Sequence, residues 1–66
     1  MNAKNPKFAI APKGEYTDIT PNKKYEILKW DDSEYFYIFD DTGYKLFCST
    51  IMCAHLNGKN WILRNK

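Results

Sequence analysis

The turn Asp40-Asp41-Thr42-Gly43, set between YFYIF and YKLFCS, constrains this chain more than any other feature. It fits a type I turn whose fourth residue takes positive φ, which glycine accepts because it has no Cβ. The result is a three-residue hairpin loop closed by a glycine bulge, with Asp40 opposite Tyr44. Counting outward, Ile38 faces Leu46 and Phe36 faces Cys48 on one side of the sheet. Tyr37 faces Phe47 and Phe39 faces Lys45 on the other.

Upstream, residues 24–30 (KYEILKW) and the acidic loop 31–34 add a third strand, so the centre of the chain reads as a meander. A four-residue loop puts Ile27 beside Ile38, Leu28 beside Tyr37, and Trp30 across from Tyr35. The first face, Tyr25, Ile27, Phe36, Ile38, Leu46 and Cys48, is then the expected core. The second, Leu28, Trp30, Tyr35, Tyr37, Phe39 and Phe47, is apolar as well. Further strands are predicted over residues 7–11, with Phe8 and Ile10 on one face, and over residues 60–64. Between strands, Pro21 and Asn22 carry turn chemistry, Asn22 because it tolerates a left-handed backbone. Residues 50–56 (TIMCAHL) are too short for a free helix and predict one helical turn, of 3₁₀ type.

With 66 residues the chain has room for a single core, and aromatic residues at 17% supply enough apolar area to exclude disorder. Residues 1–6 read as a loose terminus and residues 7–66 as one domain. No apolar run reaches the length of a membrane span, and the opening MNAKNPKFAIAPKGEY lacks the continuous apolar stretch of a secretion signal, so a cytoplasmic protein without membrane contact is expected. The net charge of +2 is too small to imply nucleic acid by itself, but it is unevenly placed. Residues 31–44 hold five acids and no base, whereas residues 45–66 hold four bases and no acid.

Five short strands with a central meander and one helical turn before the last strand follow the order of an SH3-like barrel. The segments ITPNKKYEIL, FYIFDDTGY and CAHLNGKNW also resemble small phage- and prophage-encoded proteins with that barrel. The resemblance covers residues 19–63 and rests on Pro21, Tyr25, Asp41, Gly43, the run from Cys53 to Leu56, and Trp61, which read as folding signals and not as a catalytic set. It implies an all-β, five-stranded barrel and a host-directed or defence-countering accessory role, with no particular target.

Candidate chemistry is sparse. Cys48, Cys53 and His55 are soft ligands close in sequence, but a structural zinc wants four at tetrahedral geometry. The competing expectation is two reduced, packed cysteines and a histidine bonded to backbone near a turn. A Cys53–His55 nucleophile would need a third orienting group and a pocket. The acids sit at opposite ends of strand 35–40, about 20 Å apart at roughly 3.3 Å per residue, too far for a carboxylate pair. No catalytic residue, metal or cofactor is assigned.

The second aromatic face is the stronger signal, because small soluble domains seldom leave a large apolar patch uncovered. Residues 1–18 or closure of the barrel could bury it. Left open, Trp30, Tyr35, Tyr37, Phe39 and Phe47 with Lys45 form a protein-binding face, the partner being another protein or a second copy of the chain. The alternative is nucleic-acid or nucleotide binding, with the aromatics stacking bases and Lys23, Lys24, Lys59, Arg64 and Lys66 as a basic rim. Asp31, Asp32, Asp40 and Asp41 oppose it.

Overall fold

The computed structural model describes residues 5–66. Most of the expected loose terminus, residues 1–4, lies outside the described residues. Six short strands run in the order β1 (Phe8–Ile10), β2 (Lys24–Glu26), β3 (Lys29–Trp30), β4 (Tyr35–Phe39), β5 (Lys45–Ser49) and β6 (Ile62–Arg64), with a 3₁₀ turn over Ala54–Leu56 between the last two. They form two three-stranded antiparallel sheets, ordered β2-β1-β6 and β3-β4-β5. The all-β class and the 3₁₀ turn agree with the sequence. The five-stranded barrel does not: the described residues form six strands in two three-stranded sheets that do not close into a barrel.

The sixth strand comes from a break in the predicted strand 24–30. Ile27 N–H still bonds Lys7 O beside β1 (2.9 Å), whereas Leu28 N–H already bonds Tyr37 O on β4 (2.8 Å). The chain therefore leaves one sheet and joins the other between these two residues. Leu28 and Lys29 share Tyr37 as partner, since the ladder pairs Lys29 with Tyr37 and Trp30 with Phe36. Two residues opposite one is a β-bulge, which bends the strand and shifts the following side chains by one position. The hairpin then closes over residues 32–34 through Asp31 N–H to Tyr35 O (2.8 Å), helped by Asp32 Oδ1, which accepts from Glu34 N–H (2.7 Å). This corrects the expected four-residue loop and moves Trp30 from the second face to the core side.

The core is Tyr25, Phe36, Ile38, Cys48, Cys53, Leu56, Trp61 and Ile19 with Ala9 and Ala11, while Ile27, Trp30, Leu46 and Leu63 pack around it. Every member of the expected core face is in this group. Ala9 on β1 and Ala11 just after it point inward and Phe8 and Ile10 are only half-buried, because the large rings of Trp61, Phe36 and Tyr25 already fill the interior. Trp61 meets Tyr25 edge-on at 6.2 Å and Phe36 at 5.8 Å between ring centroids, within the favourable range for perpendicular aromatics.

The central turn forms as its residues dictate. Asp40 N–H bonds Tyr44 O (2.9 Å), Gly43 N–H bonds Asp40 O (3.0 Å), and Gly43 has φ +87°. Asn22 is left-handed at φ +66°, as its turn chemistry implied. None of the helices among the described residues is long and apolar enough to cross a membrane.

Candidate binding face

β4 is the middle strand of its sheet, and its alternation decides which side chains can act. Phe36 and Ile38 are fully buried, so Tyr35, Tyr37 and Phe39 point the other way. β5 follows the same rule. Its register pairs Tyr37 with Phe47 and Phe39 with Lys45, which places Phe47 and Lys45 on that outer face. Exposure is 46% for Phe47, 51% for Phe39 and 40% for Leu28, while Tyr35 and Tyr37 are half-buried by their neighbours.

The outer rings form a continuous cluster. Tyr35 stacks on Phe47 with centroids 5.2 Å apart and planes 12° apart, and Tyr37 tilts against the same ring at 5.1 Å. Lys45 Nζ lies over Tyr37, 5.1 Å from its centroid, which is cation–π distance. Lys29, the cross-strand partner of Tyr37, adds a second cation on this face. No acid belongs to it. The acids stand at the two ends, Asp31, Asp32 and Glu34 in one hairpin and Asp40 and Asp41 in the other.

Five of the six residues expected to make this face are thus brought together. Trp30 is not: its ring packs on Phe36 at 5.2 Å and its Nε1–H donates to Pro6 O at 3.0 Å. Exposed Leu28 belongs to the face. Of residues 1–18, one expected cover for the face, residues 1–4 lie outside the described residues and residues 7–18 do not cover it. β1 lies in the other sheet, and the following loop is tied to residues 57–59 by Asn57 Nδ2 donating to Glu15 O (3.0 Å) and Lys59 Nζ to Lys13 O (3.1 Å).

The expected basic rim lies elsewhere. Lys23 pairs with Asp41 (2.8 Å), Lys24 lies over Phe8, Lys59 over Tyr16, and Arg64 sits on β6 of the opposite sheet. The chain matches no known protein family, curated protein or solved structure in sequence or fold.

Two further clusters deal with folding. Asp41 accepts from Tyr25 Oη (2.6 Å), Thr20 Oγ1 (2.7 Å) and Lys23 Nζ (2.8 Å), and its N–H bonds Asp18 O (2.9 Å). These donors, Lys23 first, hold the Asp41 carboxyl down to about 2. The residue expected to act as a turn-former therefore also ties the 18–25 segment to the hairpin. Asp40 is held below the usual carboxylate range, first by the Thr42 hydroxyl, and its Oδ1 also accepts the N–H groups of Thr42 and Tyr44.

Cys48 and Cys53 are reduced and buried. The Cys48 thiol is pushed up, first by sharing its proton with Cys53 and then by burial. The Cys53 thiol is correspondingly held down, first by the Cys48 thiol. His55 Nε2 lies 3.2 Å from Phe47 O, the backbone contact expected of a histidine near a turn. Among the described residues no three His, Cys, Asp or Glu side chains come close enough together to hold a metal ion.

Proposed function

We propose that this protein is a non-catalytic binding module that engages another protein through the outer face of β3-β4-β5. The carrying observation is the ring cluster of Tyr35, Tyr37 and Phe47, with Phe39 and Leu28 beside it, exposed or half-exposed on a sheet whose opposite face packs on the core. Aromatic anchors rimmed by charge are what protein interfaces use for affinity. Two lysines on the face and acids at its ends give a partner both orientation and limits. The resemblance to phage-encoded proteins adds a host-directed role to this proposal.

Nucleic-acid binding fits less well, because Lys23 is paired with Asp41, Lys24 and Arg64 sit on strands of the other sheet, and Lys29 and Lys45 are the cations that the β3-β4-β5 register places on the aromatic face.

The test is retention of host protein on the immobilised chain, compared with Tyr37→Ala and with a single-stranded oligonucleotide at two salt concentrations. A specific protein lost from the Tyr37→Ala column and retained across salt supports the proposal. Oligonucleotide binding that weakens steeply with salt overturns it in favour of phosphate contacts.

A further inference from the structure

Resting on that proposal, the geometry points to one kind of partner: an extended, acid-bearing strand that adds to the outer edge of β5 at Lys45 and Phe47. β5 has β4 on one side only. The bonds from Asp40 N–H to Tyr44 O and from Thr50 N–H to Glu34 O fix the phase of the β4-β5 ladder. In an antiparallel pair the bonded residues alternate, so Leu46 and Cys48 turn their backbone groups toward β4. Lys45, Phe47 and Ser49 turn theirs outward.

The far half of this edge is closed by the chain itself. His55 Nε2 lies 3.2 Å from Phe47 O, and Trp61 N–H bonds Thr50 O (3.0 Å). The near half is open: nothing among the described residues pairs with Lys45 N–H, Lys45 O or Phe47 N–H. An unpaired edge of this kind is a template for another strand.

Charge and register choose the occupant. Residues of an added strand that pair with Lys45 and Phe47 lie on the aromatic face, because directly opposed residues share a face. One of them meets an ammonium and the other an aromatic ring, so the fitting sequence is an acid and an aromatic two residues apart. A second copy of the chain fits poorly, since pairing through the same edge would add a second Lys45 to the aromatic face and bring no acid to it. A long polyanion running along the strands would meet the acidic hairpin at either end of a window about 16 Å long, five residues at roughly 3.3 Å each.

The experiment selects binders from a library of short random peptides against the intact chain, then measures their affinity and the amide hydrogen exchange of the complex. Selected peptides are expected to carry an acid and an aromatic at alternate positions and to slow exchange at the amides of Lys45 and Phe47. Lys45→Glu should weaken them about tenfold, and changing the peptide acid to lysine should restore binding to that variant. Peptides that need Tyr37 and Phe47 side chains yet leave those two amides unprotected overturn strand addition while the aromatic face stands. Peptides indifferent to Tyr37→Ala, or no enrichment at all, overturn both. Protection of the same amides in the free chain at rising concentration, with a doubled mass, assigns the edge to a second copy and overturns the acidic partner.

Discussion

At the scale of single residues, Asp41 has the most to do. It accepts three side-chain donors from residues 20–25, and with its carboxyl near 2 it favours the folded state only while ionised. A carboxyl depressed on folding contributes in full above its ordinary value near 4 and loses that contribution as pH falls toward 2. Acid titration followed by tryptophan fluorescence should therefore show stability declining through this window, with a shallower decline in Asp41→Asn, which starts less stable at neutral pH. Tyr25→Phe removes one donor and should raise the acid midpoint toward that of an unperturbed carboxylate. The cysteines lead to a different expectation. Cys48 and Cys53 pack as thiols and His55 is directed at a carbonyl, so a strong chelator should leave the thermal midpoint of the folded chain unchanged. A fall in midpoint on chelation would show a metal held by these residues.

At the scale of elements, the bulge at Leu28-Lys29 separates what was legible from what was not. The β4-β5 hairpin was legible throughout, because the Asp-Asp-Thr-Gly turn sets its register and period-2 alternation does the rest. Over residues 24–30 the faces of Tyr25, Ile27 and Leu28 were legible, but neither the pairing of residues 24–26 with β1 nor the register beyond Leu28 was. The core-facing residues of this stretch are Tyr25, Ile27 and Trp30, a spacing of two and then three, and the extra residue marks the bulge. Alternation alone did not reveal it, since Leu28 and Trp30 share a parity and both are apolar. What decides between them is non-local: the strand must leave β1 for β4 at this point, and the indole must reach Pro6 O. For the candidate face, five of six residues followed from the hairpin, and Trp30 was misplaced for the same reason. Trp30→Ala is accordingly expected to act on folding, costing about 2–3 kcal/mol, less than a fully buried ring. Urea unfolding measures it. A cost near zero would mean that the indole contributes nothing to the core it touches.

At the scale of the whole molecule, the sheet β3-β4-β5 has two apolar faces with separate uses. Its inner face supplies Phe36, Ile38 and Cys48 to a core shared with the other sheet, and its outer face presents Tyr35, Tyr37, Phe39 and Phe47 to solvent. A domain of this length holds only about 3–10 kcal/mol of stability, from about 0.05–0.15 kcal/mol per residue. Removing Phe36 or Ile38, each wholly buried, should cost about 2–5 kcal/mol and leave much of the population unfolded. Removing Tyr37 strips contacts with its outer-face neighbours, Phe47 and Lys45 on β5 and Lys29 on β3, and should cost under about 1 kcal/mol. The pair therefore separates folding from binding by a measurement that needs no partner: thermal or urea unfolding of Phe36→Ala and Tyr37→Ala side by side. If the two fall equally, the outer rings hold the fold together and the face has no surplus to offer a ligand. If Tyr37→Ala keeps nearly the parent midpoint, the outer cluster is apolar area that folding does not require, the condition a docking surface has to meet.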